Sequence, residues 1–287
     1  CSGLPENTKP ETAGALHALW LEHGLLVFPG LGTSPEAQLR LSRCFGKLEV
    51  HPIPKFRHPD YPELILLTNQ HGPTGPVYDF GDGVAIHGRI PWHTDLAFKT
   101  EPNAGALLRM VRKTAKGGET GWLDCGLAYD ALPEATRRRI EGLEGVYRFR
   151  AGLEDMRFAR PGGRRLDPRK DEYPAFPAVA KPMVWSHPEN GRKLLTVGSL
   201  NIDAVLGLPR AEGDALVEEL LAHLDNPAFR YVHDWRENDM VLWDNRRMLH
   251  RAFGHPADEV RVVHRTTIAG GAEIGREAEA WELEALA

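Results

Sequence analysis

The segment Trp92-His93-Thr94-Asp95 sets two metal-binding side chains two positions apart, and His250 offers a third far downstream. In an extended segment alternate side chains share a face, so His93 and Asp95 point one way while Thr94 points the other. Two imidazole nitrogens and one carboxylate make the 2-His-1-carboxylate set, which holds non-haem Fe(II) on one face and leaves the opposite positions open. A His-x-Asp pair alone is weak, because a chain with 13 His and 40 acidic residues produces such pairs by chance. His250 closes the run Met240 to His250, which reads as strand, tight turn, strand and so can deliver the third ligand from a neighbouring strand.

Two arginines sharpen this. In the strand pattern Arg261 to Ile268, Arg261, Val263 and Arg265 fall on one face, with Val262 and His264 on the other. An inward guanidinium needs an anion, and its planar fork suits a carboxylate held by two hydrogen bonds. A buried pair with Asp or Glu would satisfy it; a bound dicarboxylate is the sharper explanation.

The pieces Trp92-His93-Thr94-Asp95, Gly117-Gly118-Glu119-Thr120, Ser186-His187-Pro188-Glu189-Asn190-Gly191-Arg192-Lys193, Trp243-Asp244-Asn245-Arg246, His250-Arg251-Ala252 and Arg261 with Arg265-Thr266-Thr267 occur in this order. Together they resemble the taurine dioxygenase and 2,4-dichlorophenoxyacetate dioxygenase family of Fe(II)- and 2-oxoglutarate-dependent oxygenases, from about Leu25 to Gly270. The resemblance implies a double-stranded β-helix core of jelly-roll, cupin-like form. It implies His93, Asp95 and His250 as iron ligands, Thr120 and Arg261 on the distal carboxylate of 2-oxoglutarate, and Arg265 near the anionic group of the primary substrate. His51 matches a substrate-pocket histidine of the taurine enzyme. Pro54 and Arg89 stand where that enzyme has tyrosine and asparagine, which argues against taurine itself and makes Arg89 a second substrate-binding candidate. The implied reaction consumes O2 and 2-oxoglutarate, releases succinate and CO2, and oxidises an unactivated C–H bond by hydroxylation, desaturation or epoxidation. Homo-oligomers, dimers or tetramers, are the family's habit.

Composition fits a soluble globular enzyme. A length of 287 residues suits one unit as well as two, since barrels and sandwiches of about 200–250 residues form single domains; the ligands span both halves, so one domain over residues 1–287 is expected. A net charge of -5 leaves no overall basic footprint for nucleic acid. No run approaches the ~18 apolar residues that a membrane span needs. Cys1, Cys44 and Cys125 form no close pair, which points to a reducing compartment, the cytoplasm. A chain opening on Cys1 is expected to lack residues upstream.

These side chains need a scaffold. Helical patterns run from Thr12 to His23, from Ser34-Pro35 to Phe45 with Ser34 as N-cap, from Pro133 to Leu143 and from Arg210 to Leu224. Strands are expected at Leu25–Phe28, Glu63–Thr68, Gly105–Val111, Thr120–Asp124, Lys181–Ser186, Lys193–Val197, Phe229–Asp234, Asp239–Trp243 and Arg261–Ile268. Many short strands with Gly/Pro turns indicate a mainly β fold with flanking α-helices, a sandwich or jelly roll. Two segments read as lids: the Gly/Pro-rich stretch His71 to Arg89, and a basic loop in which Arg157, Arg160, Arg164, Arg165, Arg169 and Lys170 face only Asp167.

Two other classes use the same donors. A zinc hydrolase takes two His and one Asp with water at an open position, yet has no use for Thr120 and Arg261 together. A non-catalytic small-molecule binder has no need of redox-competent iron.

Overall fold

The computed structural model describes residues 9–70, 76–159, 162–167, 174–270 and 272–286. Two antiparallel sheets dominate it. The larger runs in the order Leu25–Phe28, Met240–Asp244, Gly105–Arg112, Val262–Ile268, Leu64–Thr68. The smaller runs Arg230–His233, Thr120–Asp124, Met248–Ala252, Ile90–His93. The expected class, mainly β with flanking helices, is the one observed.

The two sheets meet across an indole-rich layer. Trp122, Trp235 and Met248 pack against Leu108, Met110, Trp243 and Val263 of the larger sheet, with the Trp122 and Trp243 ring centroids 5.9 Å apart. The outward face of the larger sheet carries the helix Pro35–Arg43, which Ser34 caps by accepting from the Ala37 amide. From that helix Gln38 donates to the carbonyls of Leu107 and His264, and Ser42 meets the Thr266 hydroxyl at 2.6 Å. Strand alternation then directs Val263 and Arg265 inward, as expected. On the smaller sheet Leu123 and Leu249 pack beneath Leu216, Leu220 and Leu224 of the helix Arg210–Leu224, so that apolar stripe is core.

Three expectations change. The segment Lys181–Ser186 is two strands, Val179–Pro182 on Glu144–Tyr147 and Val184–Ser186 on Lys193–Leu195; Pro182, lacking an N–H, ends the first ladder. The stretch ending at Arg89 contains the strands Val77–Asp79 and Ala85–His87, which join Arg164–Arg165 and His255–Pro256 in one small sheet. The described parts of both lid segments therefore meet in a single flap, and its strands are too short to show a period in sequence. The basic loop also has more partners than Asp167: Arg157 pairs with Asp214, Arg164 with Asp79 and Arg165 with Glu154. Cys1, residues 71–75, Arg160, Arg169 and Lys170 lie outside the described residues.

Candidate metal centre

The turn between Trp243 and Met248 is pinned by side chains. Asp244 accepts from Arg246 Nε at 3.0 Å and lies 2.9 Å from His187 Nε2, while Arg247 Nη2 donates to Asp124 at 2.6 Å. Asn245 Nδ2 donates to the Asn103 carbonyl at 3.1 Å. The Trp-Asp-Asn-Arg and Ser-His-Pro motifs thus fix a turn, and that turn sets the register in which His250 faces His93.

Asp95 is clamped from the same turn. Its amide donates to Asn245 Oδ1 at 2.9 Å and its carbonyl accepts from Asn245 Nδ2 at 3.2 Å. Immediately afterwards Leu96 has φ +55°, a left-handed value that costs a leucine of order 1–3 kcal/mol and marks a bend the surroundings impose.

His93 Nε2 and His250 Nε2 lie 3.7 and 3.6 Å from Asp95 Oδ1. The three donor atoms lie within 4.8 Å of one another, the one such group among the described residues. His93 Nδ1 sits 2.8 Å from the Pro91 carbonyl; a carbonyl only accepts, so Nδ1 carries a proton and Nε2 is the ring nitrogen turned to a metal. Burial, then the neighbouring His93 ring, holds His250 well below the ordinary imidazole value, so its ring is neutral. Burial alone would raise the Asp95 carboxyl; Arg265, whose Nη2 is 2.6 Å from Oδ2, leads the charges that hold it well below the usual carboxylate range. Two imidazole nitrogens and one carboxylate oxygen around one point fit a divalent transition metal such as Fe(II).

Arg261 is partly buried, just before the strand that carries Arg265. Its Nη2 donates to the Gly118 carbonyl at 3.0 Å, while Nε is buried with no acceptor. Burial pulls its pKa down to about 10. Gly118 adopts φ +85°, and a Cβ there would stand 2.8 Å from Thr114 Oγ1 and 3.2 Å from Arg261 Nε, so only glycine lets the guanidinium pass. Thr120 Oγ1 accepts from Trp235 Nε1 at 3.1 Å, which leaves its own O–H free to donate. Gly118, Glu119, Trp235 and Arg261 line one recess, and Arg261 also borders a cavity of about 160 Å³ with Leu67, His87, Gly254 and His255.

The substrate candidates separate. Arg265 reaches the triad through Asp95. The hydrogen bonds of His51 stay in its own loop, with Ile53 and Arg57. Arg89 stacks on Phe80, 4.3 Å from the ring centroid, and contacts none of the three donors. Sequence reasoning missed Asn245 as the Asp95 clamp, though its motif was in view. It also missed the His87–His255 contact at 3.2 Å beside Arg261, for which no local pattern existed.

The description "Taurine catabolism dioxygenase TauD, TfdA family" matches residues 3–267. A (S)-phenoxypropionate/alpha-ketoglutarate-dioxygenase of Sphingobium herbicidovorans is 31% identical over 264 residues, 89% of this chain and 85% of that protein. An alpha-ketoglutarate-dependent 2,4-dichlorophenoxyacetate dioxygenase of Cupriavidus pinatubonensis is 33% identical over 263 residues, 88% of this chain and 87% of that protein. The crystal structure of AAD-2 in complex with Mn(II) and N-oxalylglycine superposes with a TM-score of 0.74 at 25% identity, covering 96% of this chain and 93% of the other.

Proposed function

The chain belongs to the taurine catabolism dioxygenase TauD, TfdA family, enzymes that work with Fe(II), 2-oxoglutarate and O2, and from that premise we propose that it oxidises a C–H bond of a small organic anion. The observation that carries the reading is the convergence of three lone pairs, His93 Nε2, His250 Nε2 and Asp95 Oδ1, on one point.

In this reading His93, Asp95 and His250 hold the iron. Bound ferrous iron supplies the redox chemistry that couples O2 reduction and oxidative decarboxylation of 2-oxoglutarate to substrate oxidation. The protein's residues do the positioning. Arg261 and Thr120 take the distal carboxylate with the donors they hold free. Arg265 keeps Asp95 Oδ2 engaged, so that Oδ1 alone faces the histidines, and stands as the cation nearest the site for a substrate's anionic group. Trp122, Trp235 and Trp243 form a buried indole layer, with Trp243 against the His250 ring at 4.8 Å, which limits water on that side of the site. The relatives' names specify phenoxypropionate and dichlorophenoxyacetate, which supports an organic acid here. The two sheets form the double-stranded β-helix of one domain over residues 1–287. A cytoplasmic enzyme assembled as a homo-oligomer completes the reading.

The hydrolase and the non-catalytic binder gain no support, since the relatives are named as oxygenases. Succinate release and O2 uptake by the Fe(II)-loaded protein, measured across phenoxyalkanoates, sulfonates, sulfate esters and terpenoid acids, tests the proposal. Stimulation of both by an acid is expected; zinc-dependent hydrolysis without succinate would overturn it.

A further inference from the structure

One row of cross-strand neighbours in the smaller sheet leads from the triad to the protein surface. His93 pairs with His250, His250 with Trp122, and Trp122 with Tyr231 of the edge strand Arg230–His233; residues directly opposed in a sheet point to one face. Trp243, from the larger sheet, lies over this row. Its ring centroid is 4.8 Å from that of His250 and 5.9 Å from that of Trp122. Trp122 in turn stacks on Tyr231, with centroids 6.5 Å apart and planes inclined by 27°. Both tryptophans are buried, whereas Tyr231 is 42% exposed.

The rings differ in where a proton can go. Trp122 Nε1 and Trp243 Nε1 are buried with no acceptor, so either indole, once it has lost an electron, keeps its proton and stays a cation, which an apolar interior penalises. Arg265, 5.6 Å over the Trp243 ring, adds a repulsion at that position. Trp235 branches from Trp122 at 6.2 Å, but its N–H donates to the Thr120 hydroxyl, which is no base. Tyr231 has a base. Its hydroxyl lies 2.8 Å from His233 Nδ1, and His233 Nε2 lies 3.1 Å from Asp239 Oδ2. A carboxylate only accepts, so Nε2 carries a proton, and the neutral ring accepts the Tyr231 O–H at Nδ1. The Arg236 amide anchors Asp239 at 3.0 Å. Burial, then the charge of Asp239, raises the Tyr231 phenol above its ordinary value, so at rest the proton stays on oxygen.

We propose that Trp243 and Trp122 form an electron path from the iron site to Tyr231, which ends it as an exposed donor with His233 as proton acceptor. The proposal rests on the iron reading above. It gives the protein an outlet when O2 and 2-oxoglutarate react at the ferrous site with no C–H bond in reach, a condition that otherwise leaves oxidising equivalents to consume nearby side chains. In one passage Tyr231 loses one electron and its phenolic proton: the O–H bond breaks, an N–H bond forms at His233 Nδ1, Asp239 holds the resulting imidazolium, and the iron site is reduced by one electron. A thiol or ascorbate in solution restores Tyr231 at the sheet edge, and a second passage completes the two electrons that the missing substrate would have given.

The full chain, loaded anaerobically with Fe(II) and 2-oxoglutarate, is mixed with O2 in the absence of an organic acid and frozen. Electron paramagnetic resonance reads radicals, succinate reports turnover, and peptide mass spectrometry locates oxygen added to side chains. The wild type should show a tyrosyl signal that narrows when the protein carries ring-deuterated tyrosine. Tyr231→Phe should lose that signal while still forming succinate, and added oxygen should appear on Trp122 and Trp243. His233→Gln, which removes the base, should lose the signal likewise. Circular dichroism checks the fold, and Tyr231→Phe, at an exposed position, carries the test should His233→Gln not fold. Succinate formed by the wild type without a tyrosyl signal, a signal that survives Tyr231→Phe, or succinate that forms only when an acid is present overturns the proposal and leaves the iron reading standing. No succinate with or without the acids screened above overturns both.

Discussion

Arg265 Nη2 stands 2.6 Å from Asp95 Oδ2, while Asp95 Oδ1 faces His93 Nε2 at 3.7 Å and His250 Nε2 at 3.6 Å. The carboxylate is divided: one oxygen belongs to a cation behind it, the other to the metal site in front. This pairing keeps Asp95 ionised, presents a single oxygen to the ion, and gives Arg265 the anion that its inward position demands.

Asp95→Ala should abolish metal binding. Mn(II) at a hundredfold excess over its Kd is expected to stabilise the wild type by about 2.7 kcal/mol, read as a rise in Tm, and to leave the variant unmoved, with succinate release at background. A metal-induced rise in the variant would remove Asp95 from the ligand set.

Asn245→Ala should loosen the clamp without removing a ligand. Loss of the two hydrogen bonds to the Asp95 backbone and those to Asn103 is expected to destabilise the metal-free fold by about 2 kcal/mol in urea unfolding, and to weaken Mn(II) binding about tenfold. Unchanged metal affinity in a destabilised variant would make Asn245 a fold residue alone.

Arg261→Met keeps apolar bulk and removes the cation beside Gly118. The KM for 2-oxoglutarate should rise at least about tenfold, the loss of a charge-assisted hydrogen-bond pair, with Mn(II) affinity in the absence of 2-oxoglutarate unaffected. An unaltered KM would place the distal carboxylate elsewhere.

Lys181 is 5% exposed, with no carboxylate partner among the described residues, and burial pulls its pKa from 10.5 to about 7. Folded, the amine releases its proton near pH 7; unfolded, it holds it to about 10.5. Between those values unfolding takes up a proton, so raising the pH stabilises the fold, by up to about 1.4 kcal/mol per unit, and the full penalty is present below pH 7. Lys181→Met should be the more stable protein at pH 7 and should lose this slope in urea unfolding at pH 7, 8 and 9. A wild-type stability that is flat over this range would refute the buried cation.

Much of the scaffold was legible because its signals are local. Ser34-Pro35 opens a helix by capping chemistry, and Gly24 closes the preceding one at φ +72°. The strand Val262–Ile268 shows its two faces through period two. The flap strands were not legible: Val77–Asp79 and Ala85–His87 are three residues each and exist through pairing with Arg164–Arg165 and His255–Pro256, partners that no window along the chain contains. The division of Lys181–Ser186 at Pro182 was in the sequence, but its consequence, two strands in different sheets, depends on which neighbours accept them.

The sequence by itself determined the donor set. His93 and Asp95 share a face by strand geometry, and the chemistry of imidazole, carboxylate and guanidinium travels with residue type wherever the chain goes. Tertiary structure alone decided which charges are satisfied. Arg265 finds Asp95 across a separation of 170 residues, whereas Arg89 and Arg251, equally basic in the sequence, lie against the Phe80 and Phe253 rings. Electrostatic pairing falls off over a few ångströms and in a low-dielectric interior is worth several kcal/mol, so the identity of a counter-ion is a property of distance in space, which spacing along a chain does not fix.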